Sequence, residues 1–138
     1  MNAAKTICDY VAKNYKVNKN KISLCGYSNG ASGAWTLLNQ NKGYFAAALL
    51  VSGHAYNLDG CNPKGLPIIW VTCGTSNDCY GEYKKLSSYL SKAGVNFKSD
   101  MVNSTSHSQT KVIALENSIN WLISQSLWLL FTVYFKLI

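Results

Sequence analysis

The sequence predicts an α/β domain, a mostly parallel sheet of about four strands with helices on both faces. Three observations predict it. Short apolar runs bounded by Gly, Pro and Asn alternate with longer segments whose apolar residues recur every three or four positions. The run Ile22-Ser23-Leu24-Cys25 leads directly into Gly26-Tyr27-Ser28-Asn29-Gly30, a G-x-S-x-G pattern placed as a strand-to-helix turn. Ser28, Asp78 and His107 each follow an expected strand, so a parallel sheet puts all three on one rim.

The elements follow in order. Residues 2–15 read as a helix, with Asn2 as N-cap and Ala3, Ile7, Val11 and Tyr15 recurring every four positions beside Cys8 and Ala12. Residues 17–20 are a polar connector, and 22–25 the strand before the turn. Residues 29–39 read as a helix with a stripe of Ala31, Ala34, Trp35 and Leu38, and Gly30 and Gly33 are expected to let it cross close to the sheet. The run 45–52 is apolar almost throughout and bounded by Gly43 and Gly53, as a fully buried strand is. A loop over 55–66 carries the turn signals Asp59-Gly60 and Asn62-Pro63. Residues 67–73 are the clearest strand, followed by a loop over 74–81. Residues 82–93 form an amphipathic helix with Tyr83, Leu86, Tyr89 and Leu90 inward and Gly94 closing it. Residues 95–102 read as a strand, 103–108 as a polar loop, and 110–124 as a helix with Val112, Ile113, Leu115, Ile119, Leu122 and Ile123 apolar.

Composition narrows the function. The formal charge is +7, but all 13 basic residues are Lys, spread along the chain. Bidentate recognition of phosphate or guanine relies mostly on Arg, so nucleic-acid binding is not expected. No Cys-x-x-Cys or His-x-x-x-His pair suggests a metal site, no glycine-rich phosphate loop is present, and no cofactor is implied. Five cysteines cannot all pair within one chain. Cys8, Cys25 and Cys73 read as small core residues. Cys61 and Cys79 lie in loops that a bridge could join, with reduced thiols the preferred reading. Charges at Lys5, Asp9 and Lys13 do not fit a secretory leader. Residues 125–138 form an apolar tail outside the α/β pattern, read as a membrane contact, as an element packed on the body, or as a segment foreign to the fold.

The reactive groups suggest nucleophilic acyl transfer. That chemistry needs a hydroxyl, a base to take its proton and an acid to orient the base. Ser28 sits at the start of a helix, where free N–H groups and the dipole favour an oxyanion. Of the two histidines, His107 in a polar loop reads as the base and His54 as a rim residue facing substrate. For the acid, Asp59, Asp78 and Glu82 remain after Asp9, Asp100 and Glu116 are assigned to structural elements, and Asp78 lies in the loop leaving the clearest strand.

In these motifs the chain resembles the α/β-hydrolase superfamily, in its polyhydroxybutyrate depolymerase-like, feruloyl esterase-like and dienelactone hydrolase-like branches. The stretch from Ile22 to Ala31 resembles the nucleophile strand and elbow, Val51-Ser52-Gly53 the end of the strand after it, the stretch from Pro67 to Asp78 the acid strand and loop, and Ser106-His107 the histidine loop. The resemblance spans residues 1–124 and implies the C-terminal portion of such a domain. It implies Ser28 as nucleophile, Asp78 as acid, His107 as base, the Asn29 N–H as an oxyanion donor, and Tyr27 and His54 against substrate. It further implies a serine esterase acting on a small-molecule or polymeric ester without a cofactor. The sequence departs from the family in three places. Asn77 stands at the usual acid position with Asp78 one residue later, Ser106 replaces the usual glycine before the histidine, and the family's first strands have no counterpart ahead of residue 22. Without those strands the elbow strand becomes an edge, open to self-association.

Overall fold

The structure, a computed structural model, describes residues 3–103 and 106–125. Helix α1 (Ala3–Asn14) is followed by a single 3-10 turn (Lys19–Lys21), strand β1 (Ser23–Tyr27) and helix α2 (Asn29–Gln40). Then come β2 (Ala47–Val51), β3 (Ile68–Gly74), α3 (Tyr80–Lys92), β4 (Phe97–Val102) and α4 (His107–Gln125). The four strands form one parallel sheet in the order β1-β2-β3-β4. The expected α/β architecture is therefore present. The tail beyond residue 125 and the Asn2 cap lie outside the described residues, among which no helix is long and apolar enough to cross a membrane.

Each face of the sheet has its own core. On one face Ala31, Ala34, Trp35 and Leu38 of α2 and Tyr83, Leu86 and Leu90 of α3 pack on Ala48, Leu50, Ile69, Val71 and Cys73. On the other, Ala114 and Leu122 of α4 pack on Ala47, Leu49, Val51 and Val102. Burial on both faces explains why β2 is apolar at every position. The indole N–H of Trp35 donates to the Asn57 carbonyl at 2.8 Å, fastening the long β2–β3 loop to α2.

Several expectations are corrected. The helix–sheet crossing is permitted by Gly26, not by Gly30 or Gly33. A Cβ on Gly26 would lie 2.3 Å from the Gly30 carbonyl oxygen, whereas one on Gly30 or Gly33 would meet nothing within 4 Å. Of the expected apolar set of α4, Leu122 is buried and Leu115 and Ile119 pack partly buried beside it, but Val112 and Ile113 are exposed, and the innermost positions are the small Thr110, Ala114 and Ser118. Small residues win there because they let the helix lie close to the strands. Helix α1 buries none of its residues, and its apolar Ile7, Val11 and the adjoining Tyr15 face solvent. It is held by the Tyr44 hydroxyl, which donates to the Asp9 carboxylate at 2.7 Å. Hydrogen bonds from Lys5 and then Tyr44 hold that carboxyl below its usual range. Cys8 and Cys25 are not core residues: Cys25 is exposed because β1 is an edge strand. Cys61 and Cys79 are not bridged, in agreement with the preferred reading of reduced thiols. The Cys61 thiol donates to the Asn57 carbonyl, and the buried Cys79 Sγ lies 3.3 Å from that of Cys73.

The two kinds of glycine predict opposite responses in thermal denaturation. Gly26→Ala forces α2 off β1 and should cost about 3 kcal/mol, on the order of 10 °C in Tm. Gly33→Ala, in an exposed helix interior with open space around it, should be neutral or stabilising by up to about 1 kcal/mol.

Candidate active site

Tyr27, Ser28, His54, Asp78 and His107 lie at or beyond the C-terminal ends of the strands, whereas the other candidate acids, Asp59 and Glu82, lie in the middle of the β2–β3 loop and in α3. The β1 ladder continues one residue past its strand, as the Ser28 N–H donates to the Val51 carbonyl at 2.9 Å. The backbone then turns abruptly, with Ser28 at φ 56° and ψ −128°. A non-glycine residue there is strained, by about 1–3 kcal/mol, and such strain persists only where the surroundings over-determine it. Here the ladder bond fixes the residue from behind. In front, the carbonyl of Ser28 accepts the N–H groups of Ala31 and Ser32, which commits the chain to α2. As N-cap of α2, Ser28 makes no side-chain cap hydrogen bond, so its hydroxyl is not consumed by its own helix. The Asn29 N–H follows as the first of the helix terminus.

The neighbouring strand ends in the same manner. Ser52 has φ 49°, and its N–H donates to the Thr72 carbonyl at 2.9 Å. His54 then follows Gly53, whose N–H donates to the buried Tyr56 hydroxyl at 3.1 Å. A Cβ on Gly53 would collide with that phenol. Burial raises the Tyr56 pKa, so the phenol stays protonated.

Asp78 sits in the β3–α3 loop and His107 opens α4, rather than lying in a loop as expected. The signal for this was in the sequence: Ser106-His107-Ser108-Gln109 is an S-x-x-Q capping pattern. The Gln109 N–H donates to Ser106 Oγ at 3.2 Å. Asn77, at the position where the resembled family carries its acid, instead braces the two segments. Its Nδ2 donates to Thr110 Oγ1 at 2.7 Å, and Thr110 Oγ1 donates to the Ser106 carbonyl at 3.0 Å. Gly74 makes room for this brace, since a Cβ there would lie 2.2 Å from Thr110 Oγ1.

Asp78, His54 and His107 converge. One ligating atom from each lies within 4.8 Å of the other two. His54 Nδ1 is 3.8 Å from Asp78 Oδ1, beyond hydrogen-bond range, and the two imidazole centroids are 4.9 Å apart. The His107 ring also lies against Tyr27, the residue before Ser28, with centroids 4.8 Å apart and planes tilted by 31°. Both ring nitrogens of His107 are buried and make no hydrogen bond. Burial, then the nearby Cys79, raises the Tyr27 pKa. The Cys73 thiol below the loop is pushed up to about 12, chiefly by burial, so it is no nucleophile near neutrality.

Among solved structures, the chain is similar to a Staphylococcus aureus fluorophosphonate-binding serine hydrolase at 18% identity and TM-score 0.70, over 88% of this chain and 62% of that one. It is similar to the S-formylglutathione hydrolase of the same organism at 17% and 0.67, over 85% and 57%. It is similar to a Bacillus cereus carboxylesterase at 23% and 0.62, over 85% and 56%. The fold is thus a partial α/β-hydrolase fold, and the chain spans less than two thirds of the length of these proteins. No protein-family model matches the chain, and no curated protein does.

Asn77→Ala removes the brace between the Asp78 loop and α4. It should cost about 1–3 kcal/mol and speed hydrogen exchange at the Gln109 and Thr110 amides, while exchange in β2 is slowed or sped no more than global stability dictates.

Proposed function

We propose that this chain carries the reacting groups of a serine hydrolase of carboxylic esters. The observation that carries the proposal is the backbone of Ser28: a strained residue between β1 and α2 whose hydroxyl serves no structural hydrogen bond of its helix. Ser28 Oγ attacks the ester carbonyl while an imidazole nitrogen of His107 takes its proton. Asp78 faces the resulting imidazolium and stabilises it. The tetrahedral oxyanion is met by the Asn29 N–H and the positive end of α2. Collapse expels the alcohol, which takes the proton back from His107, and water then hydrolyses the acyl-enzyme by the same steps. Tyr27 and His54 flank the His107 ring, which supports the expectation that they meet substrate. The ester belongs to a small molecule or a polymer.

Asp78 lies beside both imidazoles, so the choice of base is tested directly. Hydrolysis of p-nitrophenyl acetate should fall by about 10³-fold or more in Ser28→Ala and His107→Ala. In His54→Ala it should fall only a few-fold, mainly through KM. The reverse ranking of the two histidines would make His54 the base. A fluorophosphonate probe should label Ser28 covalently; folded protein that is neither labelled nor active would make the chain a hydrolase-fold domain without catalysis.

A further inference from the structure

The same rim holds an arrangement that esterase chemistry does not require. Two imidazoles and one carboxylate, His54, His107 and Asp78, converge from three separate strand ends with their ligating atoms within 4.8 Å of one another. We propose that they bind one borderline divalent transition-metal ion of the Zn²⁺ or Co²⁺ class, and that the bound ion shuts off hydrolysis. The shut-off, though not the binding, rests on the function proposed above.

The geometry supports a three-ligand site, which would leave the fourth position of a tetrahedral ion to solvent. Zn²⁺ holds His nitrogen and carboxylate oxygen at about 2.0–2.2 Å, which sets neighbouring ligand atoms roughly 3.3–3.5 Å apart in a tetrahedron. His54 Nδ1 and Asp78 Oδ1 are already 3.8 Å apart. The three ligating atoms lie within 4.8 Å of one another, so the widest gap closes by a little over 1 Å, and the two side chains with room to turn are His54 and Asp78, 36% and 76% exposed. The His107 ring lies against Tyr27 with neither nitrogen hydrogen-bonded, so a lone pair is available without breaking a hydrogen bond. Each ligand also stands beside an anchor: His54 by the Gly53–Tyr56 hydrogen bond, Asp78 by the Asn77–Thr110 brace, His107 by the Ser106 cap. Imidazole donors favour Zn²⁺, Co²⁺, Ni²⁺ and Cu²⁺, whereas Mg²⁺ and Ca²⁺ demand oxygen ligands. A neutral imidazole has one unprotonated nitrogen; coordination of His107 takes it and leaves the proton on the other nitrogen, so Ser28 loses its base, and Asp78 is occupied by the same ion.

The test uses the full chain with its thiols reduced. Equilibrium dialysis against ZnCl₂ should give one ion per chain, with no comparable binding of Mg²⁺. Co²⁺ should show the visible bands of a four-coordinate nitrogen and oxygen site without the near-ultraviolet band of a thiolate. His54→Gln and Asp78→Asn, each checked for its fold by circular dichroism, should weaken binding by more than about tenfold. Ser28→Ala should bind as the parent does. Parent-like affinity in both ligand variants, a thiolate band that puts the ion on cysteine, or equal binding of Mg²⁺ would overturn the site. Saturating Zn²⁺ should abolish any Ser28-dependent hydrolysis, and activity that persists would overturn the shut-off. Zn²⁺ binding by a chain with no esterase activity would uphold the site and defeat only the hydrolase reading.

Discussion

Everything on the rim depends on how closely α2 lies against β1. The absence of a side chain at Gly26 lets its Cα face the Gly30 carbonyl at a distance no Cβ would tolerate. That proximity leaves the chain one residue, Ser28, in which to change from strand to helix, and a single residue can manage this only with a positive φ. Strain at the turn is therefore a consequence of packing below it. The cost is met by the apolar contacts of Ala31, Ala34 and Trp35, which are almost wholly buried beneath.

A second dependence runs across the rim. The β3–α3 loop and the start of α4 are far apart in sequence, yet Asn77, Thr110 and Ser106 join them in a short chain of hydrogen bonds. Asn77 and Asp78 thereby divide two tasks between adjacent residues. The amide, with donors to give, holds the helix; the carboxylate, more exposed, is left to face the histidines. Such a division lets an asparagine stand where a carboxylate is expected while the carboxylate of the next residue lies near both imidazoles.

The sheet was legible in the sequence because parallel strands buried on both faces are written as unbroken apolar runs, as in Ala47-Ala48-Leu49-Leu50-Val51. The sharp turn was legible because Gly26, the position where no Cβ fits, stands two residues before the serine. The inner face of α4 was legible only in Leu115, Ile119 and Leu122, since hydrophobicity also points to the exposed Val112 and Ile113 while proximity selects Thr110, Ala114 and Ser118. The start of that helix was missed because the polar loop signal of Ser104-Thr105-Ser106 masks a capping box. The meeting of His54 with Asp78 and His107 had no local signature at all. It arises from the register of three strands, which sequence spacing does not encode.

The stripe of small residues under α4 sets the standoff between that helix and the sheet. Because His107 rides at the leading end of the same helix, the standoff is also the height of its imidazole above the strand ends. Bulk acquired at Ala114 or Ser118 would raise helix and ring together, in an interior too dense to absorb it. The rim is consequently held in place from behind, by residues that lie beneath the helix and not among the strand ends.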